Sequence, residues 1–264
     1  MKKCLLSLFI FTGAIIFSSS CKMNELKGEG PKGTTNPEVS SFSAVDIDLP
    51  LKVGIAVQNG SQPGIQISGY NNVIKHLKAE VKNNTLTIYS DLDENWKLDC
   101  EDVTVQITMP SINALSLSGA PRADVQGNIS GKDFKLEISG ASRANLSNIS
   151  VSNFYSGVSG ASKVGIDNMT VDNLSSELSG ASYMEVRGGN VNHATYGISG
   201  AAKIKAFPLQ TTETTASISG AGKGEVSAQQ KLTASVSGAA AIKYKGHPAL
   251  TKDISGAGSV TDAN

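Results

Sequence analysis

The chain has 264 residues, and its 23 Lys and Arg are balanced by 23 Asp and Glu, so its formal net charge is zero. A neutral chain has no global positive field to attract nucleic acid. Its length is ample for a buried core.

The first 20 residues have the layout of a secretory signal peptide. Two lysines precede an apolar stretch over 5–17, and three serines then precede Cys21. The stretch is too short for a stable membrane span. The pattern resembles a bacterial lipoprotein signal, which is cut before a cysteine that then carries lipid, although Ser18 replaces the usual leucine. The resemblance implies that residues 1–20 are removed and that Cys21 anchors the protein to the outer membrane, on its periplasmic or its outer face. An ordinary cleaved signal, with Cys21 unmodified, is the alternative.

Cys100 would then be the lone thiol of the mature chain, because Cys4 leaves with the signal and Cys21 carries lipid. An intramolecular disulfide is therefore impossible. No histidine lies near Cys100 in sequence, which favours a buried thiol over a nucleophile.

Residues 21–40 are predicted to hold the lipidated cysteine and a flexible tether. Lys22 to Pro37 is rich in Lys, Glu, Gly, Thr and Pro and poor in apolar residues. Such a composition predicts a flexible linker whose function is reach.

Residues 41–113 alternate apolar and polar residues without a fixed repeat. Runs such as Val45, Ile47 and Leu49 predict half-buried strands, and 71–79 has apolar residues at the spacing of one short helical turn. The acidic segment 89–101 around Trp96 is predicted to be a solvated loop rather than a calcium site, because it lacks the glycine turn and terminal Glu of a calcium loop. We expect this part to form irregular early coils or antiparallel strands that cap one end of the domain.

From residue 114 onward, the tripeptide Ser-Gly-Ala returns eight times at intervals of 18–21 residues. Each interval holds three short runs of alternating apolar residues, which predicts one triangular turn of a parallel β-helix. A leucine-rich repeat would need a Leu and Asn ladder, and a propeller needs about forty residues per blade. The sequence therefore predicts an all-β domain over 41–264, with about eight coils over 114–264. The predicted structural corners are the repeat glycines Gly119, Gly140, Gly160, Gly180, Gly200, Gly220, Gly238 and Gly256.

The corner tripeptide is predicted to be structural rather than catalytic. Gly can take a positive φ or let adjacent coils approach closely, and Ala is small enough for a crowded vertex. The corner serines can bond local backbone groups and stack in register. A nucleophilic serine needs a base, and His76, His193 and His247 have no repeating or paired arrangement.

One position, three residues after each corner glycine, carries cations in successive coils. Stacked coils would align them as a column, and we predict this column as a ligand-binding surface. Asp124, Glu185 and Glu225, two residues further on, could neutralise it by pairing across coils, which is the alternative interpretation. The column consists of Arg122, Arg143, Lys163, Tyr183, Lys203 and Lys223.

The repeated Ile-Ser-Gly-Ala motif, as at 138–141, together with the preceding strands over 42–67, resembles the autotransporter-adhesin family with a head GIN domain. The resemblance covers about 42–260 and implies a β-helix, secreted or lipid-anchored, whose biochemical role is largely unassigned. It supplies no catalytic residue. No translocator barrel follows Asn264 in this sequence, unlike a true autotransporter.

We therefore expect a non-enzymatic cell-envelope module without a metal or cofactor. Its partner would be an acidic polysaccharide of the envelope or a host, or another surface protein; the membrane is contacted through the lipid anchor only. A carbohydrate-active enzyme is one alternative, because Glu137 and Glu177 share a repeat position and Asp167 and Asp172 lie in one coil. A purely structural envelope protein is the other.

Overall fold

The computed structural model describes residues 24–264; the predicted signal peptide and Cys21 lie outside them. The predicted all-β parallel β-helix is confirmed, with about seven turns instead of eight. In the described residues, no helix is long and apolar enough to cross a membrane.

The N-terminal part contains nine strands and one helical turn. The strands are β1 (Asn24–Leu26), β2 (Lys32–Thr35), β3 (Ala44–Ile47), β4 (Lys52–Val57), β5 (Gly64–Tyr70), β6 (Leu77–Lys82), β7 (Thr85–Ser90), β8 (Trp96–Leu98) and β9 (Thr104–Met109), and the helical turn α1 (Asn71–Ile74) follows β5.

The repeats supply thirteen further strands that stack in parallel. They are β10 (Ala114–Leu117), β11 (Arg122–Ile138), β12 (Arg143–Val158), β13 (Lys163–Leu178), β14 (Tyr183–Val186), β15 (Gly189–Ile198), β16 (Lys203–Lys205), β17 (Leu209–Ile218), β18 (Lys223–Ser227), β19 (Lys231–Gly238), β20 (Ala241–Lys245), β21 (Ala249–Gly256) and β22 (Ser259–Asp262).

Each full coil has three faces, which the pairing of β12 with β13 shows clearly. In β12 the first face runs over 143–146, the second over 148–151 and the third over 153–158, each in register with residues 20 further along the chain. Alternate side chains point into the rod, so the same column of each coil is buried. Phe134 and Phe154 stack in this core with ring centroids 5.4 Å apart.

The N-terminal part combines both of the arrangements expected from its sequence. Strand β4 lies between β9 and β11 in parallel, so it forms an early coil although it is distant from β11 in sequence. Strand β5 pairs antiparallel with β9, and β6 pairs antiparallel with β7, so these strands cover the end of the rod. The result is a cap over an edge that would otherwise expose unpaired backbone.

The described part of the predicted tether differs from the flexible linker that its composition indicates. Strand β1 pairs with β8, and β2 pairs antiparallel with β5. The physical reason is that the outer edge of β5 offers backbone groups for pairing, and this gain does not depend on apolar side chains. The strand β8 also interrupts the segment 89–101 that was predicted as a loop.

The last coil has no antiparallel cover in the described chain. The whole of β21 is exposed, including Leu250 and Ile254 at inward positions. Between them, Lys252 occupies the inward position that Ala234 holds one coil earlier. An inward charge at an edge discourages the addition of another strand.

Candidate functional site

All eight corner glycines have a left-handed backbone, with φ between 71° and 89°. From Gly140 onward, a Cβ on each would collide with the carbonyl oxygen of the corner glycine one coil earlier. The same oxygen accepts a hydrogen bond from the backbone N–H of the corner alanine in the next coil. The distance is 2.7–2.8 Å for the corner alanines from Ala141 to Ala239. Both functions predicted for glycine, positive φ and close approach of coils, are thus used together.

The corner alanines are exposed, which corrects the expectation of a crowded vertex. The buried small residue is the next one along the chain, such as Ser142 or Ser162. The Ser142 hydroxyl donates to the Ser139 carbonyl at 2.6 Å, and the Ser162 hydroxyl donates to the Gly140 carbonyl at 3.3 Å. The turn therefore directs the alanine outward and the following residue inward.

Two histidines lie beside carboxylates rather than corner serines. His76 Nδ1 lies 2.8 Å from Asp91 Oδ1 in the cap, and this bond, followed by that from Lys78, lowers the pKa of Asp91. His193 Nδ1 lies 3.6 Å from Glu213 Oε2 on the third face. This arrangement does not form the serine–base pair that nucleophilic catalysis requires.

The structure aligns the predicted cationic column and extends it by one residue. Each member pairs in register with the next, and Lys52 of β4 pairs with Arg122 at the N-terminal end. We define the cationic row as Lys52, Arg122, Arg143, Lys163, Tyr183, Lys203 and Lys223. Lys52 could not be found from the repeat, because the segment around it has no corner motif.

Most cations of this row are exposed and have no salt bridge within residues 24–264. Lys203 is the exception, with its Nζ 3.4 Å from Glu225 Oε1. Of the other two carboxylates expected to neutralise the row, Asp124 accepts a hydrogen bond from Asn145 at 2.7 Å and Glu185 pairs with Arg187 at 3.3 Å. Neutralisation is therefore local to Lys203.

Tyr183 divides the row into two cationic stretches. Burial raises the pKa of its hydroxyl, and the neighbouring Glu185 adds to the effect. A tyrosine hydroxyl is neutral at physiological pH even at its ordinary pKa, so Tyr183 separates the charges of Lys163 and Lys203.

A cleft of about 420 Å³ lies at the N-terminal end of the cationic row. Gly54 and Ala56 of β4 line it between β9 and β11, and the Gln106 side chain lies over Gly54. Lys52 and Arg122 line it, together with Gln106, Asp124 and Gln126. The cleft offers two cations beside neutral and acidic hydrogen-bonding groups.

Of the acidic residues considered for an enzyme, Asp167 and Asp172 have hydrogen-bond partners on the surface. Asp167 accepts from Arg187 at 2.6 Å, and this bond raises the pKa of Arg187. Asp172 accepts from Asn192 at 3.0 Å. Among residues 24–264, no three His, Cys, Asp or Glu side chains group as a metal site would require.

The third face carries a hydrogen-bonded polar ladder that was not predicted from the sequence. Asn153 donates to Asp133 at 2.7 Å, and Asn173 donates to Asn153 at 3.0 Å. The recurrence of these residues at intervals of 20 was the available signal. The ladder connects three adjacent coils by hydrogen bonds. It lies on the third face, whereas the cationic row lies on the first face.

Cys100 is buried and free. Burial, with a smaller contribution from Asp99, raises the pKa of its thiol to about 11. A thiol in this state is a poor nucleophile at neutral pH.

Comparisons with solved structures support the fold. A protein described as a "putative adhesin" from Parabacteroides merdae is similar, with 22% identity, a TM-score of 0.86, and coverage of 91% of this chain and 100% of that one. Two proteins from Parabacteroides distasonis show the same coverage. One is described as a "putative lipid binding protein", with 22% identity and a TM-score of 0.84, and the other as a "putative adhesin", with 23% identity and a TM-score of 0.85.

A comparison with curated proteins gave no match. A family model matches residues 41–248, which include the corners from Gly119 to Gly238 and most of the capping strands. The chain therefore belongs to the family described as "Putative auto-transporter adhesin, head GIN domain".

Proposed function

We propose that the protein is a non-enzymatic binding module of the cell envelope and that its cationic row holds an extended acidic polysaccharide. The observation that carries this proposal is the register of exposed cations. Arg122, Arg143 and Lys163 stack on adjacent strands, and none has a salt bridge within residues 24–264.

Aligned cations are unfavourable unless an anion or solvent relieves their repulsion. Two unit charges 4 Å apart in water repel by about 1 kcal/mol, and strands lie about 4.8 Å apart. A polymer with one acidic group at regular intervals would replace that repulsion with attraction along the rod. The cleft beside Lys52 and Arg122 supplies hydrogen-bonding groups for one sugar unit at the end of the row.

Replacing Arg122, Arg143 and Lys163 together by serine tests the proposal. We expect the wild-type protein to bind immobilised alginate or polygalacturonate, more weakly as salt rises, because the interaction is between exposed charges. The triple variant should lose at least about tenfold in affinity.

The matched control is the replacement of Lys75, Lys132 and Lys231 by serine, which removes the same charge from exposed sites outside the row. This variant should bind nearly as the wild type does. Absence of wild-type binding, binding that salt does not weaken, or equal losses in both variants would contradict the proposal.

The envelope location rests on the signal-like segment and Cys21. We propose that lipid on Cys21 holds the module at the outer membrane. Cells that express Cys21→Ser should fail to incorporate labelled palmitate into the protein, whereas Cys100→Ser should label normally. Label in Cys21→Ser would contradict lipidation at this residue.

A further inference from the structure

The outer side of the third face carries one exposed aromatic residue, Tyr155, which is 49% exposed. The other large apolar side chains exposed in residues 24–264 lie in the cap or in the last coil. In the outward column of Tyr155, Lys135 lies on the preceding strand, and Ser175 and Thr195 lie on the following strands. An isolated surface tyrosine is ordinary by itself, and the depression next to Tyr155 is what distinguishes this one.

Gly157 is the next outward position after Tyr155, and it forms the floor of a depression. Glu137 and Glu177 pair with Gly157 from the two neighbouring strands, and Ser159 is the next outward residue along the chain. A Cβ on Gly157 would meet no heavy atom within 4 Å, so the space above it is open. We define the glycine trough as Gly157, Ser159, Glu137 and Glu177. Tyr155 lies beside the trough, at the outward position two residues before Gly157.

The depression has a volume of about 390 Å³ and extends over the corner serines 139, 159 and 179. Its walls therefore combine two carboxylates with several hydroxyl groups. Concave sites with a few convergent polar groups are the usual form of small-ligand sites.

The two carboxylates of the trough differ in their partners. Glu137 Oε1 lies 2.7 Å from Lys135 Nζ. Glu177 has no salt bridge within residues 24–264, and its carboxylate lies over Gly197, where a Cβ would collide with it. Gly197 thus gives Glu177 room to lie away from Gly157, which widens the trough.

We propose that the glycine trough binds a sugar unit of a neutral glycan. The exposed ring of Tyr155, at the outward position next to the trough, offers a flat amphipathic surface at the edge of the depression. The carboxylates and serines of the trough suit the hydroxyl groups of the sugar as acceptors and donors. Two carboxylates without a free cation between them disfavour an acidic polymer. This site lies on a different face from the cationic row and does not depend on it.

The test is retention of the purified protein on immobilised mannan, β-glucan and galactan in about 0.5 M NaCl, which screens attraction between exposed charges. We expect retention on at least one of them. Gly157→Val, which fills the trough, and Tyr155→Ala, which removes the ring, should each lower the affinity at least about tenfold. Gly157 has an ordinary backbone and open space, so Gly157→Val is compatible with folding.

The matched control is Ser235→Val, which makes a β-branched substitution in the same outward column further along the rod. It should bind as the wild type does, and so should the triple variant of the cationic row. Absence of retention on all three glycans, undiminished retention of both trough variants, or an equal loss in Ser235→Val would overturn the proposal. Because alginate and polygalacturonate are not used here, failure of this site is distinguishable from failure of the cationic row.

Discussion

Replacing Gly180 by alanine is expected to lower the free energy of unfolding by about 3 kcal/mol or more. Gly180 has φ of 71°, and a Cβ there would lie 2.7 Å from the carbonyl oxygen of Gly160. The added methyl meets backbone of the neighbouring coil, so no side-chain rotation can relieve the contact. Guanidinium unfolding followed by far-ultraviolet circular dichroism would measure the loss.

Gly157→Ala is the matched control, because it makes the same chemical change without a positive φ or a close neighbour. It should leave stability unchanged or raise it by up to about 1 kcal/mol, since alanine restricts the unfolded chain. Equal losses in the two variants would show that the corners tolerate a side chain and that their glycines have another function.

Phe154→Ala is expected to cost about 3–5 kcal/mol, as deletions of buried aromatic side chains do. Phe154 is fully buried and stacks on Phe134 in the adjacent coil, so the substitution removes contacts in two coils and leaves a cavity. The same unfolding measurement applies.

The control is the adjacent residue, Tyr155→Ala, which removes an aromatic ring from the opposite side of the strand. Because Tyr155 is half exposed, its loss should change stability by about 0.5 kcal/mol or less. A large loss for Tyr155→Ala would mean that its ring stabilises the coil, and a small loss for Phe154→Ala would contradict the proposed packing of the core.

The repeat made the stack of coils predictable from sequence, because a fixed period sets both the turn and the register. Arg143 and Lys163 could be placed in one column for that reason alone. The direction of the corner alanine was not predictable in the same way, because apolar character does not reveal which side of a left-handed turn a small residue occupies.

The strand pairing of the cap, and the residues that the structure adds to the candidate sites, could not be predicted from the sequence for a different reason. Strand β4 pairs with strands far from it in the chain, and neither its spacing nor its composition specifies those partners. Only the structure therefore identifies Lys52 as a member of the cationic row. Likewise, Gly157 is one glycine among 27 until its neighbours Glu137 and Glu177 are placed around it.

At one end of the rod, Lys252 at an inward position discourages the addition of another strand. At the other end, antiparallel strands cover the edge. Coils between these two ends contact chiefly their immediate neighbours, as in other solenoids. A duplication or deletion of one coil would therefore change the length of the rod without altering either terminus. Each such step would add or remove one position in the cationic row, so the number of coils would set the valency, and with it the avidity, of the polymer binding that we propose.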